Sequence, residues 1–281
     1  MKRKRKIYGI SKRKLLQLKP ILDQFADEVE VPEYIDKDPV LFLHAYDDKR
    51  DKELAGFFAA IMAWGRRDIV IAKVEDLMNR MNHRPMEFIG NFKDSDNSYL
   101  SGFKHRTFTD TDVYWLILAL HRIVQKYGDF EAFWKMCYEN KNPHPEGLMS
   151  VFHKSFFEMI PESPHRVRKH IANPEKKSSC KRLYLYLRWT VRKNSCVDTG
   201  IHDFIPTSEL MLPLDVHVAR HARRLGILTR HQNDWASVLE LTENLKLLNP
   251  EDPARYDYAL FGMGISDLEI PPDIIRNSFI T

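Results

Sequence analysis

The residues best suited to chemistry are a lysine and an aspartate that lie 34 positions apart. Lys181 falls in the first turn of a predicted helix, within a stretch from 165 to 193 that holds ten Lys or Arg and a single acid, Glu175. Neighbouring cations, partial burial and the positive end of the helix dipole all favour the neutral amine, which is the nucleophilic form. The alternative is a solvated lysine in a basic patch.

Asp215 follows Leu-Pro-Leu and precedes an amphipathic helix, so it is the predicted N-cap, worth about 1 kcal/mol. The same carboxylate suits the stabilisation of a developing cation or the orientation of a water molecule. His217 and His221 are four residues apart and, with Asp215, have the spacing of metal ligands. No Glu lies between them, however, and histidines on an Arg-rich helix are more typical of solvent or phosphate contacts. We therefore predict no bound metal.

Local charge points to an anionic partner. Residues 1–22 hold nine Lys or Arg and no acid, whereas the rest of the chain has 34 basic against 39 acidic residues. Within that acidic remainder, the stretches 165–193 and 216–232 are strongly basic, and such segregation is typical of nucleic-acid binding. Trp64-Gly65-Arg66-Arg67 adds an aromatic ring beside two guanidiniums, a combination that suits stacking and phosphate contact. The alternatives are solvated surface for the charges and a core position for Trp64.

Helical periodicity dominates the chain and predicts an all-α fold of ten or more helices. Residues 53–81 read as two helices with a break near Gly65, and further helices are predicted over 110–126, in two parts of 129–160, over 180–193 with a Ser178 or Ser179 cap, and from Asp215 to a stop at Gly226. At least two more follow residue 233. We expect one bipartite unit over 1–281, which comprises a basic N-terminal segment (1–22), a central subdomain (54–193) and a second subdomain (23–53 plus 200–281).

Composition excludes several classes of protein. No run of eighteen apolar residues predicts a membrane span, and no apolar stretch follows the basic N-terminus as a signal peptide requires. Three cysteines are too few for a disulfide framework or a four-thiolate cluster. We expect a reduced, cytoplasmic protein without a membrane partner.

Two blocks of sequence resemble the helix-hairpin-helix DNA glycosylases, the endonuclease-III-like and 8-oxoguanine glycosylases. LPLDVHVARHARRLGI, residues 212–227, is similar to their signature of an apolar residue, Asp, a small residue, His and Val, then Arg-x-x-x-Arg-Leu-Gly. The helix that begins Cys180-Lys181-Arg182-Leu183 resembles the helix that leaves their hairpin, with a spacing nearer the archaeal 8-oxoguanine branch. The helix pair over 59–81 resembles the block that lines the base pocket. The whole chain also resembles an uncharacterised, mainly bacterial family through KRLYLYLRW, IPTSEL and PLDVHVARHARRLG.

The glycosylase resemblance implies two closely packed helical subdomains with a cleft between them. It implies DNA, in the form of damaged duplex, as the partner, a flipped-out base as the target, and glycosylase activity with an associated AP lyase step. Lys181 takes the place of the nucleophile and Asp215 that of the catalytic aspartate, with Trp64 and His217 in the base pocket. The expected DNA contacts are Lys176, Lys177, Ser178, Ser179, Arg182, Arg188, Arg220 and Arg66. No cofactor is expected.

The chain departs from the glycosylase pattern in its hairpin. The stretch 173–179 has no glycine where these enzymes carry roughly Gly-x-Gly, whose amides grip a phosphate. Two alternatives therefore stay open. One is a noncatalytic nucleic-acid-binding protein of the same fold. The other is a metal-dependent phosphohydrolase of the helical His-Asp type, with ligands from His170, His202-Asp203 and either Asp234 or Asp257.

Overall fold

The computed structural model describes residues 9–144 and 147–264, and over these the chain is all-α. The basic run over residues 2–6 lies outside the described residues. Thirteen α-helices are found in the described ranges: α1 (Lys12–Val29), α2 (Leu41–His44), α3 (Lys49–Ile61), α4 (Arg67–Arg80), α5 (Pro85–Gly90), α6 (Asn97–Leu100), α7 (Asp110–Tyr127), α8 (Phe130–Glu139), α9 (Gly147–Glu158), α10 (Lys181–Val191), α11 (Val216–Leu225), α12 (Trp235–Leu245) and α13 (Tyr256–Gly262).

A short antiparallel hairpin joins α6 to α7. Its strands are β1 (Lys104–His105) and β2 (Phe108–Thr109), with Lys104 opposite Thr109 and His105 opposite Phe108. Short 3-10 helices occur at Pro32–Lys37, Asp94–Asp96, His165–His170, Pro174–Lys176, Thr207–Glu209 and Pro253–Arg255. Within the described ranges, no helix has both the length and the apolar character required to cross a bilayer.

Helix α3 lies at the centre of the fold. Every residue from Glu53 to Ile61 is buried, because α3 packs against α2, α4, α5, α8 and α10. Gly56 permits the close approach of α2, since a Cβ at this position would lie 2.7 Å from Leu43 Cγ. The predicted break near Gly65 is confirmed: α3 ends at Ile61, Gly65 has φ +102°, and α4 begins at Arg67.

The two ends of the described chain meet. Helix α1 packs along α13, and α13 also packs against α11. A Cβ on Gly262 would lie 2.5 Å from Val29 Cγ2, so the glycine permits this close contact. The predicted boundaries at 22/23 and 53/54 fall inside α1 and α3. Helix α1 thus joins the basic N-terminal segment to the second subdomain, and α3 spans the boundary with the central one.

The two helices that carry the candidate chemistry begin differently. Asp215 caps α11 as predicted, with its Oδ1 accepting from the amides of His217 and Val218, and Gly226 ends α11 at φ +75°. The predicted serine cap of α10 is wrong. Cys180 is the N-cap, at φ +51°, and its side chain caps no helical amide, while Ser178 Oγ accepts from the Cys180 amide at 3.2 Å.

Candidate active site

The first residue of α10 and the N-cap of α11 face each other. Lys181 Nζ lies 3.4 Å from Asp215 Oδ2, and the two side chains are 32% and 16% exposed. The amides of His217 and Val218 both bind Oδ1, each at 2.8 Å, so Oδ2 is left for the lysine. Asp215 therefore caps its helix with one oxygen and contacts Lys181 with the other. A lysine accompanied by a carboxylate in a partly exposed site has the parts needed for nucleophilic catalysis.

The lysine and the aspartate line a cavity of about 900 Å³. Of the predicted site residues, the walls include Trp64, Arg66, Lys181, Arg188, Asp215 and His217. The segment after α3, the start of α11, the face of α10 that carries Lys181 and Leu185, and the end of α13 all contribute. The volume is within the range of roughly 300–1,000 Å³ typical of small-ligand sites.

Arg188 lies on the buried side of this cavity. It is 3% exposed, with its Nε 3.4 Å from Asp198 Oδ1 and its Nη1 donating to Asp257 Oδ2. Arg188, an expected DNA contact, has its guanidinium buried among carboxylates. The pKa of the Asp257 carboxyl is raised to about 6, mainly by burial. The charge of Arg188 lowers this pKa, and the charge of Asp215 raises it.

Arg182 is also held inside the protein. Its Nη1 donates to the Ile61 carbonyl at 2.5 Å, its Nη2 donates to the Lys169 carbonyl at 3.4 Å, and its guanidinium lies 4.9 Å from the Trp64 ring centre. Burial lowers the pKa of this guanidinium to about 10. Trp64 is half-buried between Arg182 and His105, whose ring lies 4.6 Å away. Arg182 therefore fixes the position of Trp64 in the wall.

A second cavity, of about 570 Å³, lies on the other side of Lys181 and Trp64, which line both spaces. Lys176, Ser178, Ser179 and Arg182 contribute to it. The preceding turn is left-handed at Lys177 (φ +61°) and again at Cys180, without any glycine. The chain thus makes positive-φ turns before α10 with other residue types.

The remaining predicted DNA contacts are more dispersed. Lys177 and Arg220 are exposed, but they line neither cavity. Arg66 lies at the rim of the 900 Å³ cavity, where its Nη2 pairs with Asp68 Oδ2 at 2.6 Å. Exposure leaves all three side chains accessible to a large anionic partner.

Sequence reasoning missed one wall of the larger cavity. Arg67 lies 4.4 Å from the Phe261 ring centre and 3.9 Å from Asp38, whose Oδ2 accepts from the Tyr34 hydroxyl at 2.8 Å. Arg67 could have been found from the sequence, because it belongs to the arginine pair that follows Trp64. Tyr34, Asp38 and Phe261 belong to no motif, because they meet only through the packing of the chain ends.

The residues of the His-Asp alternative are not brought together. His170 Nε2 faces Asp112 Oδ1 at 3.3 Å, His202 Nε2 faces Glu53 Oε1 at 3.2 Å, and Asp203 is exposed beside Lys193. In the part of the chain that the structure describes, no three His, Cys, Asp or Glu residues are grouped to hold a metal ion. The His-Asp phosphohydrolase hypothesis thus loses its ligand set.

Comparison with known families gives one match. The profile of a family described as protein of unknown function (DUF2400) matches residues 38–266. The chain belongs to this family. The DUF2400 match includes Lys181, Asp215 and most of the residues that line both cavities. No curated protein and no solved structure matches the chain.

Proposed function

We propose that the chain is a DNA glycosylase that uses a lysine nucleophile and also cleaves the strand at the resulting abasic site. The observation that carries this proposal is the 3.4 Å approach of Lys181 Nζ to Asp215 Oδ2 in the wall of a 900 Å³ cavity. The resemblance to helix-hairpin-helix glycosylases supports the same two roles. Such enzymes act in contact with DNA, and we place this one in the cytoplasm.

The reaction begins when a damaged nucleotide leaves the helix stack and its base enters the larger cavity, beside Lys181 and Asp215. In the proposed step Lys181 first gives a proton to water, and Nζ then forms a bond to C1′ of the deoxyribose while the N-glycosidic bond breaks. The bonding electron pair leaves with the base, which takes a proton from water. Asp215 remains ionised and stabilises the positive charge that develops on the sugar. Trp64 and His217 both line this cavity, and in this proposal they contact the base.

Strand cleavage follows from the covalent intermediate. The Lys181 nitrogen gives a proton to O4′, the C1′–O4′ bond breaks so that the sugar ring opens, and a protonated Schiff base forms between Nζ and C1′. Loss of a proton from C2′ then expels the 3′ phosphate group by β-elimination. Hydrolysis of the Schiff base by water regenerates the lysine.

The charges around the site support binding to a phosphate backbone. Lys176 and Lys177 are exposed beside the start of α10, and Arg66 is exposed at the rim of the cavity. Affinity for DNA is expected to fall steeply as salt concentration rises, because such contacts release condensed counterions.

Borohydride trapping tests the proposal. Wild-type protein is incubated with duplex and single-stranded DNA carrying 8-oxoguanine, uracil, an oxidised pyrimidine or an abasic site, and the reduced adduct is measured on a denaturing gel. We expect an adduct on at least one lesion that is lost in Lys181→Gln and retained in Lys135→Gln, which changes an exposed lysine of α8 that lines neither cavity.

The trapping result has two contrary outcomes. An adduct that persists in Lys181→Gln contradicts the assigned nucleophile. If no lesion gives an adduct and none releases a base, while salt-sensitive DNA binding is intact, the chain is a binding protein and the proposed chemistry is wrong.

A further inference from the structure

The 570 Å³ cavity has a strongly one-sided charge. No Asp or Glu is among its lining residues, whereas six of them are Lys or Arg: Arg166, Arg168, Lys169, Lys176, Lys181 and Arg182. A concave surface with one sign of charge concentrates ions of the opposite sign. The lining therefore attracts a polyanion more strongly than a neutral ligand.

Several of these cations have no acidic partner. Among residues 9–144 and 147–264, Arg168, Lys169 and Lys176 form no ion pair, and Arg182 donates only to main-chain carbonyls. Arg166 differs, since its Nη2 pairs with buried Asp112 at 2.9 Å. Cations that line one cavity repel one another, and a bound anion reduces that repulsion. The cavity thus provides cations that are available to bind an anionic ligand.

A buried histidine points to the same ligand. His153 lines the cavity, is 9% exposed, and packs against Phe157 with ring centres 5.0 Å apart. Burial, followed by the charges of Arg168 and Lys176, lowers the pKa of His153 to about 4. A bound phosphate oxygen would accept a hydrogen bond from this ring.

The position of the basic cavity relates its ligand to the reacting nucleotide. Lys181, Trp64 and Ala63 line both this space and the 900 Å³ cavity, so they form the partition between the two. A third cavity shares His153, Arg168 and Asn173 but brings in Glu158 and Glu175, which ends the purely basic lining. The lining without acidic residues is therefore confined to the 570 Å³ cavity, which includes Lys181, the candidate nucleophile.

We infer that the basic cavity binds the nucleotide next to the reacting one as unpaired single strand, with its phosphate held by Arg168, Lys169 and Lys176. This inference rests on the proposed function, because it takes the larger cavity as the place of the reacting base. A 570 Å³ space admits one or two nucleotides but not a double helix. The preferred substrate is thus a lesion with an unpaired neighbour, in a single strand or beside an opened duplex end.

The test measures binding by fluorescence anisotropy with labelled single strands of four, eight and twelve nucleotides and with a blunt duplex. Lys169→Gln/Lys176→Gln removes two exposed, unpaired cations from the cavity. Lys126→Gln/Lys135→Gln is the matched control, because it removes two exposed lysines, one on α7 and one on α8, that line neither cavity. We expect the cavity variant to bind single strands about tenfold more weakly and the control to bind within about twofold of wild type.

Four results would overturn the inference: equal losses in the two variants, a duplex bound more tightly than the single strands, a poly-glutamate peptide that competes as well as the single strand, or free inorganic phosphate that competes as well as the single strand. The trapping assay on the same oligonucleotides separates this inference from the proposed function. A Lys181 adduct that is unaffected by Lys169→Gln/Lys176→Gln removes the inference alone. Cavity-dependent strand binding with no adduct supports single-strand binding by the basic cavity, removes the chemistry, and with it overturns the assignment of the bound nucleotide as neighbour of a reacting one.

Discussion

The two carboxylate oxygens of Asp215 have separable tasks, and substitution with Asn tests each one. In the wild-type structure the amides of His217 and Val218 each lie 2.8 Å from Asp215 Oδ1. In Asp215→Asn the side-chain oxygen still accepts from both amides. The amide NH₂ then replaces Oδ2, which lies 3.4 Å from Lys181 Nζ. The substitution preserves the cap and removes the negative charge beside the nucleophile. Asp215→Ala removes both.

These tasks differ in energy. Asn and Asp are nearly equal N-caps, whereas Ala costs about 1 kcal/mol, or roughly 2–4 °C in Tm for a chain of this size. The partly exposed ion pair with Lys181 adds at most about 1 kcal/mol to stability. Loss of the charge that stabilises the transition state is expected to slow base release by about 100- to 1,000-fold. Asp215→Asn should therefore be nearly as stable as wild type but almost inactive.

Thermal unfolding and single-turnover base release measure the two effects side by side. Asp234 offers a matched control, because it also caps a helix, α12, by accepting from the Ser237 amide, and also pairs with a cation, Arg230 at 2.7 Å. Asp234 does not line the 900 Å³ cavity. Asp234→Asn should therefore share the small stability change of Asp215→Asn and keep wild-type activity.

Either of two results would refute this reasoning about Asp215. If Asp215→Asn releases base at the wild-type rate, the carboxylate has no role beyond capping. If Asp215→Asn lowers Tm as much as Asp215→Ala does, then the cap does not account for the stability contributed by Asp215.

Three further predictions concern stability. Arg188→Met leaves buried Asp257 unpaired and should lower the free energy of unfolding by about 3–5 kcal/mol in urea titrations; a loss below about 1 kcal/mol would contradict the buried pair. The His153 pKa of about 4 lies below the unfolded value, so the unfolded chain binds more protons and Tm should fall as the pH drops from 6.5 toward 4. This fall should be smaller in His153→Gln, and identical pH profiles would argue against a buried neutral ring. Gly56→Ala should cost about 1–3 kcal/mol through its contact with Leu43, part of which Leu43→Val should restore; an unchanged Tm would exclude the clash.

Features that depend on neighbouring residues could be predicted from the sequence. The Asp215 cap, the stop at Gly226 and the break at Gly65 each follow from the properties of one residue beside a helix. The all-α fold follows from hydrophobic periodicity over many helices. The start of α10 was predicted less well, because Cys180 adopts a left-handed conformation that is rare for a residue other than glycine.

Features that depend on distant residues could not be predicted from local patterns. Arg188 belongs to a basic run, and its burial is decided by Asp198 and by Asp257 on a helix 69 residues later. The approach of Lys181 to Asp215 joins the starts of two separate helices and was expected only through the resemblance to glycosylases. The acid-free lining of the 570 Å³ cavity likewise requires the folded positions of α9, the 3-10 helix at 165–170 and α10.

The most direct test of the proposed chemistry is peptide mapping of the borohydride-trapped complex. The adduct is digested with nuclease and protease, and the residue that carries the reduced deoxyribose is identified by tandem mass spectrometry. The proposed mechanism predicts that the sugar is attached to Lys181 Nζ. Attachment at another lysine, or at the N-terminal amine, would contradict it.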